Sequence, residues 1–323
     1  MDVGTFCAQS RVLIVAGKGG VGKTTMAAAL ARMASRAGRS VLIVELEGKS
    51  GITGAFGLGQ DLGYEEIELQ EARPPGQAAV RARRITPDDA LVEYLEDHGL
   101  RRVSKRLVSS GVVDVVSTAI PGIRDVLVLG KIKQLEREEV ADLIVVDAPA
   151  TGHAITFLTS ASGLVNAARG GPLRSQAAEV VELLADPSRC RVMLVTLPED
   201  MPVSETIESA FTLEDKAGVQ LGPVIVNATD PVPEGLERSA QEAAEGKDVD
   251  AAFLAALEEA RRFRLERHAI SAAQIERLAR DLPLPQLLVP TVPVETMGVA
   301  EIDQLATALA SAISQLVPEV PAT

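Results

Sequence analysis

Residues 15–27 read VAGKGGVGKTTMA and follow the apolar run Val12-Leu13-Ile14. Gly17, four intervening residues and then Gly22-Lys23-Thr24 is the spacing of a phosphate-binding loop, placed after a strand and before a helix as such a loop must be. Glycines let successive backbone N–H groups close around phosphate oxygens, and the N-terminus of the following helix adds a favourable dipole. Gly17, Gly19, Gly20, Val21, Gly22, Lys23, Thr24 and Thr25 are the candidate cradle. Lys23 would neutralise β- and γ-phosphates, and Thr24 would offer its hydroxyl to Mg²⁺. Asp147 closes the apolar run DLIVVD and is the acid expected to bond to the magnesium shell. Gly152 and His153 follow in DAPATGH. A glycine there can turn its amide toward a γ-phosphate and release it again. His153 reads either as part of that sensor or as a satisfied structural histidine. Lys18 is one cation more than an ordinary phosphate loop needs.

The elements that must hold these residues are visible as short apolar runs between long Ala-rich segments. RVLIVAG (11–17), SVLIVELEG (40–48), DLIVVDAP (142–149), RVMLVTLP (191–198), GPVIVNAT (222–229) and QLLVPTVP (286–293) read as strands, with a weaker one through 80–85. Each main run is near-continuous rather than alternating, as in parallel strands covered on both faces. Between the first two runs lies KTTMAAALARMASRAGR, rich in helix formers and stopped by Gly38. The fold class is therefore α/β: a mostly parallel, doubly wound sheet of about seven or eight strands with helices on both faces. Residues 87–140 and 154–186 read as largely helical, and 231–280 as a polar helical insertion, within one domain spanning 1–323. The 301–316 segment reads as a helix closing the core.

Composition narrows the partners. With 32 basic against 45 acidic residues the net charge is −13, and no basic arm offsets it, so nucleic acid and anionic lipid are not expected partners. Cys7 and Cys190 stand far apart without a CxxC pair, read as buried thiols, and give no reason to expect zinc. The first residues, MDVGTFCAQS, carry an acid where a signal peptide needs basic residues. Without a long charge-free apolar stretch no transmembrane span is expected, and the expected location is the cytoplasm.

GKGGVGKTT resembles the deviant Walker A motif of ATPases related to MinD, nitrogenase iron protein and the arsenite-pump ATPase. VVDAPATGH is similar to the DTAPTGH segment of the arsenite-pump and tail-anchored-protein-targeting ATPases. IPGIRDVLVLGKI (120–132) and LPEDMPVSETIES (197–209) resemble two further segments of that family. Asn227, ending VIVN, and VPTVPVETMG (289–298), with Pro293 and Val294, resemble its adenine-side elements. The ordered matches run from about residue 11 to residue 300. The likeness is strongest to the single-domain paired ATPases of actinobacteria, which show VEVEGR- and AKGGP-type stretches. The resemblance implies ATP and Mg²⁺ as cofactors and a homodimer, or a heterodimer with a paralogous ATPase subunit. It also implies a protein client or effector. Lys18 would then reach the phosphates held by the opposite subunit, stabilising charge on the transferring phosphoryl group.

The departures matter as much. Aligned through AFG at 55–57, Glu47 falls where the family places the aspartate that positions the attacking water. Ser50 replaces a histidine, Lys49 adds a cation, and Gly54 stands where the family has a magnesium-side aspartate. The catalytic set expected is thus Lys18, Lys23, Glu47 and Asp147, with Thr24 and Asp147 on the metal. The targeting ATPases bind membrane clients with Met-rich helices; residues 154–186 contain no Met, and Phe157, Leu158, Leu164, Val180 and Leu184 read as that segment's own core. The altered switch leaves a second reading open, a nucleotide-dependent adaptor with negligible turnover. An arsenite-pump subunit fits less well because Cys7 and Cys190 do not match that pump's thiolates. A MinD-like membrane slider fits poorly too, since 301–323 carries no Lys or Arg.

Overall fold

The computed structural model describes residues 1–46, 51–73, 76–97, 99, 122–230 and 234–316. Among them eight strands form one sheet: β1 (Val12–Gly17), β2 (Val41–Glu45), β3 (Ile67–Gln70), β4 (Val80–Arg84), β5 (Leu143–Ala150), β6 (Cys190–Thr196), β7 (Val224–Thr229) and β8 (Gln286–Pro290). Their order is β3-β4-β2-β5-β1-β6-β7-β8. All pairings are parallel except β3 with β4, which is antiparallel. The strand IELQ is not among the apolar runs of the sequence. It is four residues long, half polar and at the sheet edge, so it carries neither an apolar run nor a sustained alternation.

The central strands show why their sequences are near-continuous apolar runs. Leu13, Val15, Val41, Ile43, Leu143, Val145, Met193, Val195 and Ile225 belong to one buried cluster. Their strand neighbours Val12, Ile14, Leu42, Val44, Ile144, Val146, Val192, Leu194 and Val226 belong to the other. Alternate side chains point to opposite faces, and each face is covered by helices.

On the first face lie α1 (Val3–Cys7), α2 (Lys23–Arg36) and, later in the chain, α11 (Val299–Ser314). Five alanines of α2 are fully buried, which lets the helix approach the sheet and α11 closely. Asp303 of α11 pairs with Arg32 at 2.5 Å and Arg36 at 2.8 Å. The short α3 (Gly51–Ala55) packs against α2.

On the second face lie α4 (Pro87–Asp97), α5 (Ile123–Arg137), α6 (Thr151–Ala167), α7 (Pro172–Ala185) and α8 (Asp200–Ala217). Thr86 accepts from the Asp89 N–H, capping α4. Phe157, Leu158, Leu164, Val180 and Leu184 are all buried there. β5 ends at Ala150 and α6 begins at Thr151, with no residue between them.

Within 87–140, residues 98 and 100–121 lie outside those described, so Ile120 and Pro121 of the IPGIRD segment do too. Within 231–280 are α9 (Ala240–Ala243) and the 31-residue α10 (Ala251–Asp281). Leu278 is the one buried residue of α10. Arg277 ties the last turns of that helix to Asp200 at the start of α8, at 2.8 Å. No helix among the described residues is long and apolar enough to cross a membrane.

Candidate nucleotide site

The loop between β1 and α2 is shaped by two glycines whose hydrogens leave room for neighbouring segments. Gly17 has φ +155°, and a β-carbon there would run into the Val195 carbonyl on β6. Gly22 has φ +92° and starts α2 from the left-handed region; a β-carbon there would strike the Asn227 side-chain amide. Asn227, on β7, donates from Nδ2 to the Val21 carbonyl at 2.9 Å. The residue expected at the adenine side therefore also braces the phosphate loop. Val21 is buried beneath that loop, while Gly19 and Gly20 are exposed at its tip.

The two lysines part company. Lys23, the first residue of α2, donates to the Lys18 carbonyl at 3.2 Å and so folds over its own loop. Lys18 leaves the loop and pairs with Glu205 of α8 at 2.5 Å, both side chains about one-third exposed. Glu205 belongs to the LPEDMPVSETIES segment already noted for its resemblance, where nothing local says which of the acids meets the loop. Only the folded chain brings it to the loop.

Thr24 donates its hydroxyl to Oδ2 of Asp147 at 2.6 Å. Residues 123 positions apart thus meet at the loop mouth, because β5 pairs with β1 in register Val15↔Asp147. Thr25 follows Thr24 on the first turn of α2. Gly152 is the second residue of α6 and is exposed, as is His153 beside it. His153 borders a cavity with Asp125, Pro149 and Leu46 rather than joining the Thr24–Asp147 pair. Burial pushes the Asp125 carboxyl up, opposed by the charges of Arg124 and His153.

Pro293 and Val294 follow β8, and Val294 is exposed. The segment leading to them is tied to β7 just beyond Asn227: Thr291 N–H donates to the Thr229 carbonyl at 3.0 Å, and the Thr229 hydroxyl donates to the Val289 carbonyl at 3.0 Å. Ala228, between Asn227 and Thr229, has φ +56°, a left-handed value that a β-carbon disfavours.

Glu47, Lys49 and Ser50 lie outside the described residues. Their flanks are informative. Gly51 stands against Thr24 so closely that a β-carbon would press on its methyl group. Gly54 is exposed in α3. On the other side, Glu45 closes β2 directly beside Asp147 in register. Glu45 is 1 % exposed. Burial raises its carboxyl, Arg84 opposes the shift by hydrogen bond and charge, and the Asp147 charge adds to it. The signal for this residue in the sequence is an acid inside the otherwise apolar run SVLIVE, which strand formation alone leaves unexplained.

The oxygen donors at the loop mouth suit a hard divalent cation. Magnesium is held by a hydroxyl and one or two carboxylates, with phosphate oxygens and water completing the shell, rather than by a protein cage. The Thr24 hydroxyl and the Asp147 carboxylate supply that donor set and fit the role of holding the ion against bound phosphates. Among the described residues no group of three or more His, Cys, Asp or Glu is placed to hold a metal ion by itself.

A family model described as anion-transporting ATPase matches residues 10–168, which contain the loop, Asp147 and Gly152. The chain is 39 % identical over 258 residues to the ATPase BagA of Mycobacterium tuberculosis, covering 76 % of this chain and 74 % of that protein. The chain belongs to the anion-transporting ATPase family. It is also similar to the ATPase get3 of Schizosaccharomyces japonicus, at 31 % identity over 172 residues, 51 % of this chain and 50 % of that one. As a member of this family the protein is an ATP-binding ATPase, and the α/β sheet with its phosphate loop is the family fold.

Proposed function

We propose that the chain is one subunit of a Mg²⁺-dependent, two-subunit switch ATPase that uses ATP hydrolysis to control its hold on a protein partner. The observation that supports this reading is a loop whose two lysines part, Lys23 bonded back to the loop and Lys18 drawn off it to Glu205 of α8. Only Lys23 is needed to hold a nucleotide in its own loop.

Hydrolysis forms a bond from water oxygen to the γ-phosphorus and breaks the bond from that phosphorus to the β–γ bridging oxygen, releasing ADP, phosphate and a proton. Bound magnesium supplies charge neutralisation on the phosphate oxygens. Thr24 and Asp147 hold the ion, and Lys23 stabilises charge on the β- and γ-phosphates. Glu47 orients the water, and Gly152 reports the γ-phosphate. Lys18 of each subunit serves the nucleotide of the other, so that turnover requires closure. Asn227, Pro293 and Val294 border the base.

Thiolate-based arsenite handling is not favoured for this chain. Burial pushes both the Cys7 and Cys190 thiols up to about 12, leaving them protonated at neutral pH and poor as metalloid ligands.

The test is sedimentation of the purified protein with and without Mg-ATP, together with single-turnover hydrolysis. Association that strengthens with nucleotide, with phosphate release dependent on Lys18, is the expected result. A Lys18→Ala variant should bind ATP nearly as the wild type does and turn over about ten-fold or more slowly. Normal hydrolysis by a protein that stays monomeric at every concentration would overturn the two-subunit reading. Nucleotide binding with no phosphate release, alone or with a paralogue, would favour the adaptor instead.

A further inference from the structure

Across the C-terminal edge of the sheet runs a row of three charged residues in strict register. Arg84 on β4 pairs with Glu45 on β2, and Glu45 pairs with Asp147 on β5. The two-residue alternation fixes where they point. Val41, Ile43, Val80, Ala82, Leu143 and Val145 all face the cluster beneath α2. Glu45, Arg84 and Asp147 continue that alternation, so all three are on the face where Thr24 stands.

One oxygen of Glu45 has its partner: Oε1 accepts from Arg84 Nε at 3.1 Å. The other, Oε2, is buried and has no hydrogen-bond partner among the described residues. An unsatisfied carboxylate oxygen on a side chain 2 % exposed is destabilising unless something supplies a donor. Arg84 accounts for one carboxylate oxygen only, and Glu45 stands in register beside the carboxylate that meets Thr24. The arrangement makes sense if a positive ion with its bound water occupies the space that Asp147 and Thr24 define.

We propose that Glu45 is a positioning residue of the metal site: its second oxygen accepts a hydrogen bond from a water of the Mg²⁺ shell, while Arg84 holds the carboxylate in place from behind. This rests on the magnesium-dependent reading of the site and extends it by one residue. A carboxylate in that place does two things at once. It fixes the orientation of a shell water, and its charge adds to that of Asp147 in drawing the cation to the loop mouth.

The readout is Mn²⁺ affinity in the presence of ADP, measured by the electron paramagnetic resonance of free Mn²⁺, with ADP affinity in EDTA measured alongside. The wild type is expected to bind Mn²⁺·ADP, and Glu45→Gln to bind Mn²⁺ at least about ten-fold more weakly, the usual loss when an outer-shell partner is removed. ADP affinity without metal should be unchanged, and Glu45→Asp should recover part of the loss. Because Glu45→Gln leaves Arg84 without its counter-charge, the double variant Glu45→Met/Arg84→Met removes both charges together; it should fold and show the same metal defect. Equal Mn²⁺ affinity in the wild type and the double variant would overturn the assignment. A wild type that binds ADP but no Mn²⁺ would instead overturn the magnesium-dependent reading itself.

Discussion

Lys18 Nζ lies 2.5 Å from Oε1 of Glu205, so the extra lysine of the phosphate loop is held within its own chain. Both side chains are about one-third exposed, and such pairs contribute roughly 0–1 kcal/mol. A contact this weak could be exchanged for a phosphate if the proposed two-subunit complex forms. Glu205→Gln should leave the melting temperature nearly unchanged and strengthen Mg-ATP-dependent association by about two- to five-fold per subunit, as release of a contact worth up to 1 kcal/mol would. Analytical ultracentrifugation across a concentration series measures it. Weaker association in the variant would show that Glu205 aids closure rather than competing with it.

Asn227 links β7 to the loop through the Val21 carbonyl, a hydrogen bond worth roughly 0.5–1.5 kcal/mol net. Asn227→Ala should lower stability by about that amount and weaken ATP binding. The wild type should prefer ATP to GTP, as titration with fluorescent analogues of each would show. Equal affinity for GTP would remove the adenine assignment, whatever the alanine variant does.

Ala228 holds a left-handed backbone at φ +56° immediately after that asparagine. Relief of the strain should outweigh the added chain entropy of glycine, so Ala228→Gly is expected to stabilise the protein by about 0.5–1 kcal/mol. Urea denaturation reads this directly. A destabilised variant would mean that the local backbone is not strained by its β-carbon.

Cys7 and Cys190 are each at most 2 % exposed, and burial pushes their thiols up to about 12. At pH 8 neither is expected to react with a thiol-specific chromogen while the chain is folded, and both should react at once in guanidinium. Rapid labelling of the native protein would contradict the packing around α1 and the start of β6.

The sheet is legible in the sequence wherever both faces of a strand are buried, because two covered faces require an unbroken apolar run. The loop is legible for a different reason: Gly17 and Gly22 are demanded by backbone geometry, and that demand is written in residue type. What stays hidden is whatever depends on register. IELQ looks like a loop until it pairs with Val80–Arg84 as the edge strand of the sheet. Glu45 looks like a stray polar residue until β2 and β5 align and set it next to Asp147. Glu205 is an ordinary helix-surface acid until α8 passes the loop. In each case the missing information is a pairing between distant segments, which no local pattern encodes.

β5 passes into α6 without an intervening residue. Most strand–helix junctions contain a few residues of compliant backbone that absorb motion. Here Asp147 and the far end of α6 at Ala167 are joined by continuous regular structure, the helix alone about 25 Å long. The helix is packed against α5, α7 and α8. A shift of β5 at Asp147 would therefore be passed along α6 to the helices packed on it, on the far side of the sheet from Thr24.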